Sequence, residues 1–173
     1  MILIGYRGTG KTTVASILSR RHSIPAIDSD KEIERETGIS ISEIFSRHGE
    51  VGFRDIEESV IARILANNKK IILASGGGAI LRESTRNKFR ETGKVIWLQA
   101  SPETVLKRIQ ADTTSQTTRP NLTSLLPLDE IVAMIAKRKP LYEQTATFTI
   151  NTDNLTPTQI ADQCEQLLFK CEI

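Results

Sequence analysis

Near its start the chain reads "GYRGTGKTT", which fits the spacing G-x-x-x-x-G-K-[ST] at Gly5, Gly10, Lys11 and Thr12. That spacing serves the holding of phosphate. Glycines let consecutive backbone N–H groups turn inward, and a helix starting there adds partial positive charge. The candidate cradle is Gly8, Thr9, Gly10, Lys11, Thr12 and Thr13. Lys11 would reach the β- and γ-phosphates of a nucleotide, and Thr12 would hold Mg²⁺. Further acids stand in "IDSD". Asp28, at the end of an expected strand, can reach the metal's water shell, and Asp30 points past it toward a phosphate acceptor. Read alone, the same pair is a helix N-cap with a solvated neighbour.

Two arginines bear on the acceptor. Arg54 lies in "FRDIEE", where Glu57 and Glu58, three and four positions on, can brace its guanidinium. Arg138 lies in "KRKPLY", just before Pro140. Two guanidiniums on one pocket point to a small acid, because each grips a carboxylate with two parallel hydrogen bonds. "ASGGGAI" places three of the chain's 10 glycines together after the apolar run "KKIIL". A tight turn needs one glycine or two. Bare backbone at Gly76, Gly77 and Gly78 would let a compact ligand lie against the main chain and bond its amides. His22 and His48 are isolated, read as surface or loop residues without a metal role. Cys164 and Cys171 fall on one expected helix, too far apart along its axis to bridge, and read as small apolar side chains.

The elements that must position these groups follow from the hydrophobic pattern. "MILIG", "IPAID", "KKIILAS", "KVIWLQA" and "TFTIN" read as five strands alternating with amphipathic helices, which argues for a parallel sheet covered on both faces. Ser40, Ser101 and Thr156 are expected helix starts, Gly38 and Gly49 expected stops. "LDEIVAMIAKRKPLYEQ" reads as a helix disturbed by Pro140, and the polar stretch "QADTTSQTTRPNLTSLLP" as a lid. The length of 173 residues fits one domain. Hydrophobic residues at 39%, charged residues at 25% and a net charge of +2 argue for a soluble protein that binds neither nucleic acid nor membrane. The first strand begins at Met1, leaving no place for a signal peptide, and the cysteine usage is consistent with a reducing cytoplasm.

In order along the chain, "GYRGTGKTT", "DSD", "FRDIEE", "ASGGGAI", "TTRP" and "KRKPLYEQ" resemble the motifs of shikimate kinases. The resemblance covers nearly the whole chain as a single domain, residues 1–173. It implies a P-loop nucleoside-monophosphate-kinase-like α/β/α fold with a five-stranded parallel sheet, a substrate-binding segment about 29–62 and a lid about 110–126. The implied reaction transfers phosphate from ATP, with Mg²⁺, to the 3-hydroxyl of shikimate, in a cytoplasmic monomer. Asp30 matches the aspartate that bonds the acceptor hydroxyls and acts as base. Arg54, Arg138 and the three glycines match the groups on shikimate, Arg119 the lid arginine on the transferring phosphate, and Arg108 the arginine that stacks on adenine. The loop between Arg108 and Arg119 is longer than in compact members, and Asn121 replaces a leucine. Other readings are a different small-molecule kinase, such as one acting on gluconate, and a binding module without turnover. A nucleic-acid ATPase fits poorly, because few aromatics are available for base stacking.

Overall fold

Side-chain alternation along the strands decides how the sheet is covered. In the computed structural model, β1 (Ile2–Ile4) turns Ile2 and Ile4 to one face and Leu3 to the other. β4 (Val95–Gln99) does the same with Val95 and Trp97 against Ile96 and Leu98. A strand that is apolar on both sides must be buried on both. The remaining strands, β2 (Ala26–Asp28), β3 (Ile72–Ala74) and β5 (Phe148–Asn151), complete an all-parallel sheet in the order β2-β3-β1-β4-β5. The structure describes residues 1–67, 70–111 and 127–169.

One face packs against α2 (Ser29–Thr37), α3 (Ile41–Asn67), α4 (Glu83–Glu91) and α6 (Pro127–Thr145). The other packs against α1 (Lys11–His22) and α7 (Pro157–Phe169). A smaller cluster of Tyr6, Ala100, Val105 and Ile131 lies beneath α5 (Pro102–Ala111) and α6. This is the three-layer, five-stranded parallel architecture expected from the hydrophobic pattern.

Helix ends fall where short polar side chains can satisfy unpaired amides. Ser101 Oγ accepts from the Thr104 N–H at 3.3 Å. Thr156 and Gln159 form a reciprocal box, with Gln159 N–H on Thr156 Oγ1 at 3.2 Å and Thr156 N–H on Gln159 Oε1 at 2.9 Å. Gly38 closes α2 in the left-handed region, at φ 71°. The expected stop at Gly49 is present: its φ 66° and ψ −174° are non-helical, so α3 consists of two helical stretches that meet at a kink there. One detail differs from the pattern. Pro140 sits inside α6, which runs on through it.

Cys164 is fully buried among apolar side chains between α1 and α7, and burial pushes its thiol up to about 12. Cys171 lies outside the described residues. His22 is the last residue of α1, half-buried, with Nε2 2.9 Å from Glu165 Oε1 on α7, so it is tied into a helix pair rather than loose on a loop. His48 is exposed on α3. Among the described residues no helix is long and apolar enough to cross a membrane.

The sheet order fixes where a ligand can sit. The carboxyl ends of β2, β3 and β1 lie side by side, with Asp28 level with Ala74 and Ala74 level with Leu3. The connection from β1 runs to the β2 side of the sheet and that from its neighbour β3 runs to β4 on the other side, which opens a crevice above the carboxyl ends of β1 and β3.

Candidate active site

The loop from Gly5 to Gly10 crosses that crevice. Gly8 and Gly10 adopt φ 79° and 91°, values that side-chain-bearing residues rarely accept, and Gly10 leads directly into α1. Lys11 is buried, and its Nζ donates to the carbonyls of Gly5 and Tyr6, each at 2.8 Å. The loop floors a cavity of about 420 Å³ whose walls include all six expected cradle residues, Gly8 to Thr13, together with Asp28, Asp30, Gly77 and Arg108. A helix N-terminus, a buried ammonium group and inward-turned backbone make this wall attractive to phosphate oxygens.

Asp28 serves both readings of the acid pair at once. Oδ1 caps α2, accepting from Asp30 N–H at 3.0 Å and Lys31 N–H at 3.3 Å. Oδ2 accepts from Thr12 Oγ1 at 2.6 Å. The cap orients the carboxylate so that two hard oxygen donors, from β2 and α1, stand together at the cavity wall. Such a pair suits Mg²⁺, which keeps several waters and is completed by substrate phosphates rather than by a protein cage.

The three glycines form a shelf after β3, and close packing explains their bareness. None of them has a positive φ. A Cβ on Gly76 would lie 2.6 Å from both Asp30 Oδ1 and Glu57 Oε1, and a Cβ on Gly78 would overlap the Arg54 guanidinium. The space above the strand is therefore occupied by the protein's own charged groups, which approach the backbone more closely than any side chain would permit. The Gly76 N–H donates to Ser29 Oγ at 2.8 Å, so this amide is engaged inside the protein rather than offered to a ligand.

Arg54 donates from Nη1 to Glu57 Oε2 at 2.5 Å, with side-chain exposures of 9% and 2%. Glu50 stands 3.5 Å from Nη2. Of the two glutamates expected as braces, only Glu57 serves. Glu58 turns to the surface and accepts from Ser84 Oγ. A buried charge is costly unless paired, and Glu57 supplies that pairing and fixes the Arg54 guanidinium. Arg54 Nε is buried with no hydrogen-bond partner.

Arg138, buried on α6, donates from Nη1 to the Gly77 carbonyl at 3.2 Å. The Tyr142 hydroxyl donates to the same carbonyl at 2.6 Å. Tyr142 stacks on Trp97, centroids 5.4 Å apart, which anchors the shelf to β4. Burial pushes the Tyr142 phenol up to about 12, against the pull of the nearby Arg138 and Arg54 charges. The structure thus gathers Asp30, Arg54 and Arg138 around Gly76, Gly77 and Gly78, beside the phosphate loop.

Arg108 lines the cavity and is half-buried. Its guanidinium is fixed by Thr152, with Nη1 on Oγ1 at 3.0 Å and Nη2 on the carbonyl at 2.6 Å. Arg119, Asn121 and the expected lid beyond residue 111 lie outside the described residues up to 126. Sequence reasoning passed over Ser29, Tyr6 and Tyr142 as site residues. The "DSD" and "KRKPLY" stretches contain two of them. Their partners, Gly76 and Gly77, are 47 and 65 positions away, so only the folded chain pairs them.

The profile of one protein family, described as shikimate kinase, matches residues 7–169 of the chain. A shikimate kinase of Rhodopirellula baltica is 39% identical over 160 residues, covering 92% of this chain and 85% of that protein. One of Nitrobacter winogradskyi is 41% identical over 170 residues, covering 98% and 77%. Among solved structures, a shikimate kinase from Acinetobacter baumannii in complex with shikimate superposes with a TM-score of 0.91 at 34% identity, over 99% of this chain and 93% of that one.

The Tyr142 phenol allows a test of the buried shelf. An unfolded tyrosine ionises near pH 10, whereas Tyr142 in the folded chain keeps its proton to about 12. Above pH 10 the unfolded state holds fewer protons, so this contribution to stability is complete below pH 10 and is lost as pH rises toward 12. Tyr142→Phe should cost about 1 kcal/mol near pH 8 through the lost hydrogen bond. The parent should lose about 1.4 kcal/mol relative to Tyr142→Phe between pH 8 and pH 11, enough to abolish or slightly reverse its advantage, read by urea unfolding. An advantage that stays constant over that range would show the phenol is not buried as described.

Proposed function

The chain belongs to the shikimate kinase family, and from that premise we propose that it seats shikimate against the Gly76–Gly78 shelf and phosphorylates its 3-hydroxyl from ATP. The products are shikimate 3-phosphate and ADP, on the route to chorismate, in a monomeric cytoplasmic enzyme. The observation carrying this reading is the convergence of Asp30, Arg54 and Arg138 on one bare stretch of backbone next to a phosphate loop.

Phosphoryl transfer asks the protein for alignment and charge stabilisation more than for covalent chemistry. The loop amides from Gly8 to Thr13 and the Lys11 ammonium group hold the nucleotide's phosphates. Thr12 and Asp28, already hydrogen-bonded to each other, would hold Mg²⁺, which would offset the charge on those phosphates. Arg54 and Arg138 grip the shikimate carboxylate, and Asp30 accepts a hydrogen bond from the attacking hydroxyl. As the acceptor oxygen bonds to the γ-phosphorus, the bond from that phosphorus to the ADP oxygen breaks, and the hydroxyl proton leaves toward Asp30. Arg108 flanks the adenine. The resemblance of the "TTRP" motif assigns Arg119 to the transferring phosphate.

A coupled ADP-release assay with shikimate and gluconate side by side tests the reading. Shikimate-dependent turnover is expected, reduced at least a hundredfold in Asp30→Asn. Turnover on gluconate alone, or ADP release indifferent to shikimate, would overturn it. In the pocket itself, Arg54→Lys keeps a charge beside Glu57 and should leave thermal stability within a few degrees. It should raise the Kd for shikimate roughly tenfold or more, because lysine has no forked pair of donors. Gly78→Ala should weaken shikimate binding by a different route, since the added methyl overlaps the Arg54 guanidinium and pushes it from its place beside Glu57, with some loss of thermal stability. Calorimetry with shikimate reads both variants. Parent-like affinity in either would remove the Arg54 fork from the site.

A further inference from the structure

Arg7 stands in the third position of the phosphate loop and has no part in the chemistry described so far. It lines the cavity beside Lys11, Asp30 and Gly77. Its guanidinium carbon lies 6.0 Å from the centroid of the Tyr6 ring, and that of Arg138 lies 5.6 Å from the same centroid. Its backbone nitrogen packs 3.3 Å from where a Cβ of Gly77 would stand. Arg7 therefore spans the seam between the phosphate loop and the acceptor shelf. Among the described residues no carboxylate lies within ion-pair distance of it, and its Nε is buried with no hydrogen-bond partner. An arginine that merely decorates a surface keeps its Nε in water. One that is partly desolvated and lacks a carboxylate is suited to bind an anion supplied from outside.

We propose that Arg7 binds the phosphate of the product, taking hold of the phosphoryl group on the acceptor side once it has joined shikimate. This rests on the functional reading above. The other cations have different tasks there: Lys11 serves the donor phosphates, Arg54 and Arg138 serve the carboxylate, and Arg119 is assigned to the phosphoryl group during transfer rather than to the finished ester. The new phosphate ester carries close to two negative charges at neutral pH and lies between the loop and the shelf, where Arg7 is placed. A planar guanidinium can grip two of its oxygens at once.

The assignment separates shikimate from shikimate 3-phosphate, two ligands that differ only in the group Arg7 is said to touch. Calorimetry on the full chain with Mg²⁺–ADP present would measure each in the parent, in Arg7→Gln and in Arg7→Lys. Arg7→Gln should weaken shikimate 3-phosphate roughly tenfold to a hundredfold and leave shikimate within about twofold. Arg7→Lys should recover part of the loss, since the charge returns without the fork. Product affinity unchanged in Arg7→Gln, or both ligands weakened equally, would overturn the assignment while leaving the parent's activity intact. A parent that binds neither ligand would bring down the functional reading, and the Arg7 assignment with it. Thermal melting alongside distinguishes a misfolded variant. If Arg7→Gln melts early, Arg7→Lys supplies the comparison, and a parent-like ratio of the two affinities in it counts against the assignment.

Discussion

A buried ion pair pressed against bare backbone organises this molecule. Arg54 and Glu57 bond at 2.5 Å with almost no exposure, and they reach that position because Gly76 and Gly78 offer no side chains to keep them away. Removing two charges from water costs several kcal/mol, and their attraction repays it only when the geometry is good. The shelf provides that geometry. With Glu57 bonded on one side, the Arg54 guanidinium is held in place against the shelf. What the fold obtains is an immobile fork rather than extra stability, and a rigid fork loses less entropy when it takes a carboxylate.

The same economy recurs at the shelf's other contacts. The carbonyl of Gly77 receives both Arg138 and Tyr142, and the amide of Gly76 is spent on Ser29. Backbone groups at a strand end would otherwise be unpaired, and their satisfaction by α6 and α2 ties the helical layer on that face to two residues after β3. Asp28 acts similarly at the phosphate side, one oxygen capping α2 and the other meeting Thr12. Each connection fixes a site group with an interaction that also closes a structural need. The positions of Asp28, Thr12 and the shelf relative to one another are thereby tied to the helices and strands packed around them.

Much of this was legible in the linear chain wherever the physics is local. The phosphate loop is contiguous, and its glycines carry the positive φ values that the spacing requires. The caps at Ser101 and Thr156 bond within three residues. Strand alternation announced a sheet buried on both faces. Where two local solutions are equally good, the chain alone could not choose. Glu57 and Glu58 are both within helical reach of Arg54, and only the packing of α3 against the shelf turns one inward and the other to Ser84. The three glycines signalled a close approach but not by what. The first occupants are Asp30, Glu57 and Arg54 of this chain.

Residue order and spacing thus settled the cradle, the layered parallel sheet and the kinds of side chain a small acid would meet, because those depend on neighbours a few positions apart. The folded chain alone decided which brace Arg54 takes, that Tyr142 and Arg138 share one carbonyl, and that Arg7 reaches across to the shelf. The contacts of Arg138, Tyr142 and the Arg7 backbone with Gly77 join residues about 60 to 70 positions apart, and the brace of Arg54 is selected by packing against Gly76 and Gly78, about 20 positions on. No spacing rule spans such a distance, since the contact exists only after the sheet has brought the carboxyl ends of its strands together.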